Sequence, residues 1–332
     1  MQDNINDVIN KSLVVKKDGL KDNIKSIIAG IKQAIDINKE PILLANNLDK
    51  NRDNGFIIDF SIIDNIFNLI NKEDIVYGDV TLSQKDDEII YGTQIKDKGN
   101  VCVINDGNPY TIIEIALRNI MAGNTTILVN TGYMFGSNTV IIKLIQEVLT
   151  KYNVSEELIQ MYVTDDYDEV LSNYANLDLV ICIGDHELQS TVLSKAKNEI
   201  IVSGYTYYDI YVEDDKNIDF IKELINSIPH IQLFVKEGIN IDYKDAIVVS
   251  DIDEAIGEIN YIGSNYSAAI FTSDTNNASK FVKEVKSKIV TVNTSPSIET
   301  LLDIKQKDLY NEKTIIYPNN IKLDGIRATI NE

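Results

Sequence analysis

Between residues 99 and 138 the chain reads GNVCVINDGNPYTIIEIALRNIMAGNTTILVNTGYMFGSN, and its apolar and polar positions change period twice. The continuous apolar run Val101–Ile104 predicts a buried strand, and Asn105–Pro109 predicts a turn. Tyr110–Ala122 has the spacing of an amphipathic helix, stopped by Gly123-Asn124. A second strand, Thr125–Val129, leads into a polar turn and another helix. Strand, helix, strand, helix within one short segment is a βαβ unit and implies a parallel sheet. The turns that follow its strands then lie at the carboxyl edge, where open α/β sheets place their ligands.

The same alternation extends in both directions. Upstream, residues 1–15 are weakly periodic, a loose arm or a first helix, and Leu20 to Ile35 repeats apolar residues at three-and-four spacing. Asn46 to Gly55 is polar and turn-rich and predicts a break, followed by a helix over Ile62–Ile70. Asp86–Gly99 predicts strand, bend, strand, a hairpin that leaves the main sheet. Downstream come a helix at Asn138–Lys151, strand Ile159–Val163, a short helix near 167–174 and strand Leu179–Ile183. Strand Glu199–Val202, strand Ile210–Val212 and helix Ile218–Ile225 complete a doubly wound sheet. From Pro229 a smaller α/β unit is predicted, with strands Ile231–Val235, Ala246–Val249, Ala268–Thr272 and Ile289–Val292 and helices Ile252–Ile262 and Asn276–Val285. The tail predicts a helical turn near 306–310 and strand Thr314–Tyr317. This sets the domains at 1–228, 229–312 and 313–332, in a chain of 332 residues with no internal repeat.

Composition narrows the function classes. The formal charge is −20 and the lysines are scattered among carboxylates, which argues against nucleic acid and against an anionic membrane surface. No apolar run reaches spanning length and the first thirty residues show no signal pattern, so a cytoplasmic protein is expected. The two cysteines, Cys102 in VCVIN and Cys182 in LVICIG, sit inside apolar strands and read as small buried hydrophobes in a reducing compartment. The two histidines, His186 and His230, are far apart in sequence, and no metal site is expected.

Four stretches together resemble the aldehyde dehydrogenase superfamily, and within it the γ-glutamyl phosphate reductases. EPILLANNLDKNRDNGF at 40–56 is similar to that family's early helix and its Ala-Asn, Asp-rich end. Gly123–Leu128 matches its strand entry, and LDLVICIGDHELQ at 177–189 its Gly-Gly turn. DIDEAIGEINYIGSNYSAAIFTSDTNNASKFVKEVKSKIVTVN at 251–293 follows it from an Asp-Glu-Ala-Ile helix to a closing Val-Asn. The resemblance spans roughly residues 20–318. It implies a cofactor domain, a second domain bearing a thiol, and an arm of Asp86–Gly99 with Thr314–Tyr317 that pairs two subunits into a homodimer.

The departures from that pattern matter as much. Thiol chemistry in this family implies a cysteine in the loop after the helix that ends near Ile225, yet residues 225–238 read INSIPHIQLFVKEG, without one. Hence no catalytic residue is assigned. For the cofactor, NAD(P) stays open, and the resemblance points to Asn108, Asn130, Thr131, Gly132, Gly184, Ser203 and Gly204 as its contacts. Asn108 also reads as an ordinary Asn-Pro turn, and no basic residue follows Val129 to hold a 2′-phosphate. Asp185 places a carboxylate where backbone would approach a polyanion. Tyr205, Tyr207, Tyr208 and Tyr211 read as strand aromatics, and Asp165–Asp168 and Asp214–Asp215 as helix caps. The sequence thus predicts a non-catalytic member of the superfamily acting as a binding or partner subunit. An active NAD(P)-dependent reductase and a nucleotide- or metabolite-binding regulator stand as the alternatives.

Overall fold

The computed structural model describes residues 4–53, 55–84, 89–184, 186–204, 208–227, 231–263, 267–296, 304–318 and 329–330. They fall into two compact units, Met1–Gly204 with Thr300–Glu332, and Tyr205–Glu299. The boundary lies at 204/205, upstream of the expected 228/229. The cause is strand Tyr208–Val212, which pairs with strands of the second unit and not with the first sheet.

In the first unit, helix α1 (Ile5–Leu13) is capped by Asn4, whose side chain accepts from the Asp7 amide. Helices α2 (Leu20–Ile37) and α3 (Lys39–Asp53) follow almost without a break, then α4 (Phe60–Ile70). The polar run expected to be a turn is therefore the second half of α3. Its polar side chains are placed by tertiary bonds: Asn46 donates to the Phe56 carbonyl and accepts from the Ile58 amide. A buried, satisfied Asn or Asp overrides the turn preference of its residue type.

Strands β1 (Val80–Gln84) and β2 (Ile89–Asp97) are antiparallel, with Leu82 opposite Gly92. The strand, bend, strand expected over Asp86–Gly99 is one strand from Ile89 to Asp97, with Gly92 inside it: a Cβ there would lie 2.4 Å from Leu82 Cδ2, so the glycine permits close strand approach. Next come β3 (Asn100–Asn105), α5 (Pro109–Ala122), β4 (Thr125–Asn130), α6 (Phe135–Lys151), β5 (Ile159–Val163), α7 (Tyr167–Leu171), β6 (Leu179–Gly184), α8 (His186–Lys195) and β7 (Glu199–Gly204). These strands form a parallel sheet ordered β5-β4-β3-β6-β7. One face packs on α2, α4, α5 and α6 through Ile27, Ile31, Phe67 and Leu128, and the other on α1, α7 and α8 through Ile9, Cys102, Val170 and Val192. Helix α5, expected to be amphipathic, is buried along its whole length.

The second unit holds β8 (Tyr208–Val212), α9 (Ile218–Ser227), β9 (Ile231–Lys236), β10 (Ile247–Val249), α10 (Ile252–Ile262), β11 (Ser267–Phe271), α11 (Thr275–Glu284) and β12 (Ile289–Val292). Its sheet, ordered β10-β9-β8-β11-β12, is also parallel. Back in the first unit, β13 (Tyr310–Pro318) pairs antiparallel with β2 along its entire length, and β14 (Thr329–Ile330) lies parallel to β1. No helix among the described residues is long and apolar enough to cross a membrane.

Candidate functional site

Counted in chain order, the first sheet runs 3-2-1-4-5, so the winding reverses between β3 and β6. The carboxyl edge at that reversal is the place where doubly wound sheets open a crevice. Asn108, Asn130, Thr131 and Gly132 lie on the turns after β3 and β4. Gly184, Ser203 and Gly204 lie at the ends of β6 and β7, with Gly184 opposite Gly204 and Ile183 opposite Ser203. All seven share this edge.

The turn after β3 is built by successive side-chain caps. Asn105, fully buried, accepts from the Gly107 amide at 2.8 Å and donates to the Val129 carbonyl at 3.1 Å. Asp106 accepts from the Asn108 amide, and Asn108 from the Tyr110 amide at 2.9 Å, which makes Asn108 the N-cap of α5 with Pro109 at its first position. Asn108 is thus engaged as a turn residue. After β4, Asn130 accepts from the Gly132 amide at 2.9 Å. The two turns are tied by Asn138 of α6, which donates to the carbonyls of Gly107 at 2.6 Å and Tyr133 at 3.2 Å.

A second group comes from α3 and was not visible in the sequence. Asp49 accepts from the Gly136 and Ser137 amides at 3.0 and 2.6 Å and from the Ser137 hydroxyl at 2.6 Å, while Asp53 accepts from the Met134 amide at 2.9 Å. The amino end of α6 is therefore filled by the chain's own carboxylates. Arg52 pairs with both and donates to the Gly132 carbonyl at 3.4 Å. The positive charge that seemed missing after Val129 is brought in by α3, already matched by two carboxylates. Only the three-and-four spacing of Asn46, Asp49 and Asp53 could have signalled one polar helix face.

Of the remaining candidates, Gly184 accepts at its carbonyl from Gln189 at 2.8 Å. His186 opens α8, whereas Asp185, Tyr205, Tyr207 and His230 lie outside the described residues. Asp166 caps α7, and Asp214 accepts from the Ser273 amide of the next loop rather than serving α9 alone. Tyr211 is buried and stacks on Phe281. Cys102 and Cys182 are both fully buried, and burial with the neighbouring Cys182 pushes the Cys102 thiol up to about 12.

The carboxylates give this edge an acid-side signature. The Arg52 side chain and the Met134 amide hold Asp53 below the ordinary carboxylate range, and Ser61 does the same for Asp59 at the start of α4. Groups whose folded pKa is depressed contribute stability above their unfolded value, and that stability is lost as pH falls through the folded value. Melting temperature is expected to fall as pH drops below about 4. Asp53→Asn is expected to flatten that fall in a pH series of thermal melts.

No protein-family model matches the chain. Its relatives include a γ-glutamyl phosphate reductase of Dictyoglomus thermophilum, 22% identical over 290 residues that cover 70% of each chain. The γ-glutamyl phosphate reductase structure from Thermotoga maritima superposes with a TM-score of 0.65 at 19% identity, over 98% of this chain and 100% of that one. A propionaldehyde dehydrogenase from Clostridium phytofermentans reaches 0.73 at 12% identity, over 97% and 99%. The chain has the aldehyde dehydrogenase-like α/β fold. Within that class it is similar to the γ-glutamyl phosphate reductases.

Proposed function

We propose that this chain is a non-catalytic relative of the γ-glutamyl phosphate reductases, a binding or partner subunit that keeps the fold without thiol-dependent reduction. One observation carries the reading: Cys102 and Cys182, the only thiols of the sequence, are fully buried within β3 and β6, and the segment 225–238 has none. A thioester route needs an accessible thiolate, and burial in apolar surroundings opposes its formation. The carboxyl edge of the first sheet remains as the binding site, and β1, β2 and β13 form the arm through which two copies pair.

The test uses the purified protein with NADH or NADPH, an acyl phosphate and, in the reverse direction, an aldehyde with the oxidised cofactor. No change in nicotinamide absorbance is expected. An aromatic disulfide reagent is expected to label neither cysteine in the native protein and both in denaturant. Turnover, or a thioester on either cysteine by mass spectrometry, would mean that the reductase alternative is correct.

A further inference from the structure

Helices α10 and α11 lie side by side on one face of the second unit's sheet, packed there through Ile256, Ile259 and Phe281, while α9 packs on the other face. Each joins two strands of a parallel sheet, so the two helices run in the same direction. Their relative level is fixed by two contacts. Lys280 pairs with Asp253, and Asn260 donates to the Glu284 carbonyl at 3.0 Å and accepts from the Lys286 amide at 2.8 Å. Glu258 of α10 therefore stands level with Lys283 of α11, and Tyr261 with Lys286.

The solvent side of this helix pair is divided by charge. From Asp251 to Ile262 the chain carries Asp251, Asp253, Glu254 and Glu258 and no cation, whereas from Lys280 to Lys288 it carries Lys280, Lys283, Lys286 and Lys288 against Glu284 alone. Glu258, Lys283 and Lys286 have no ion partner among the described residues. Beside them Tyr261 is 86% exposed, the most exposed large apolar side chain among the described residues. One turn earlier on the same helix face is Gly257, where an added Cβ would meet nothing within 4 Å. Glycine inside a helix costs stability relative to alanine, and the packing of the chain itself gives no reason for it. A second surface that approaches closely does.

We propose that the α10–α11 face is an isologous interface between two copies of this chain, separate from the arm of the first unit. A two-fold axis running along the helices, between them, sets α10 of one copy against α11 of the other without changing level. Glu258 then meets Lys283 of the second copy, and the reciprocal pair forms on the far side of the axis. Tyr261 lies against Lys286 of the second copy, an aromatic face beside a cation, and Gly257 lets the helices come close. The net charge of −20 repels copies of the chain from one another, so local pairs of opposite sign are what draws this face together. The proposal does not depend on the absence of thiol chemistry.

The experiment is light scattering and sedimentation velocity of the full chain at about 20 mM and about 0.5 M salt, with thermal melts in parallel. Lower salt strengthens local ion pairs, but it also strengthens the repulsion between like net charges, which alone would drive copies apart. A particle mass at low salt twice that at high salt is expected. Lys283→Glu or Glu258→Lys alone is expected to weaken the association at least about tenfold, and the two together to restore it to within about threefold. Gly257→Gln is expected to raise the melting temperature at high salt and to weaken association at low salt at least about tenfold. A helix that serves only its own fold would not give those opposite signs. The high-salt melts also establish that each variant is folded. Equal mass at both salts, a double charge swap no better than the single ones, or Gly257→Gln associating as the parent chain does would each overturn the proposal.

Discussion

Arg118→Ala is expected to destabilise the chain by about 3–5 kcal/mol, enough to unfold a marginal domain. Arg118 lies in the buried helix α5 with its side chain 3% exposed, donating to Glu114 at 2.9 Å and to Glu73 at 2.7 Å. Burial alone would lower the guanidinium pKa, but the Glu114 and Glu73 charges more than offset it and raise it. Removing the cation leaves the Glu114 carboxylate, 1% exposed, in the core without its Arg118 counter-charge. Gln306 donates to the backbone carbonyl of Arg118 at 2.9 Å, a bond that alanine at this position keeps, so the cost falls on the ion pair alone. Urea unfolding should show the full drop for Arg118→Ala. Glu73→Gln, at a pair partner 32% exposed, should cost under about 1 kcal/mol. The double variant Arg118→Leu with Glu114→Leu should recover most of the stability, since apolar replacement of a whole buried pair is often neutral. A double variant as unstable as the single one would show that packing around α5, not the ion pair, is what the substitution disturbs.

The same helix shows which parts of this fold were legible in the sequence. Fully buried parallel strands such as VCVI and LVICIG announce themselves as unbroken apolar runs, and the burial of both cysteines follows from their place in such runs. The second half of α3 has, in its Asn and Asp residues, the composition of a turn. Their partners, the Ile58 amide and the amino end of α6, are tertiary and cannot be seen in a window of ten residues. Arg52 meets the Gly132 carbonyl across 80 positions, so the cation at the β4 turn had no local signal. Strand β8 belongs to the second sheet rather than the first, and its sequence does not signal this for a related reason. Both sheets are parallel and share one winding order, and an apolar run does not say which sheet receives it. The candidate residues were found through their turns, while the groups that set the charge of the site were not.

Gly107→Ala is expected to be the most damaging change at the site, at about 3 kcal/mol, from backbone strain and a steric clash together. Gly107 has φ of 89°, a conformation that residues with a Cβ adopt reluctantly. An added Cβ would also lie 2.5 Å from the Tyr133 carbonyl oxygen. That oxygen cannot swing aside as a side chain would, because Asn138 holds it together with the Gly107 carbonyl. Gly132 is the natural control. Its φ is 88°, yet the nearest atom to an added Cβ is Val163 Cγ1 at 3.2 Å, the end of a side chain. Gly132→Ala should therefore carry the conformational term alone, about 1 kcal/mol. In urea unfolding the two variants should separate by about 2 kcal/mol. Equal costs would mean that the two turns yield to each other.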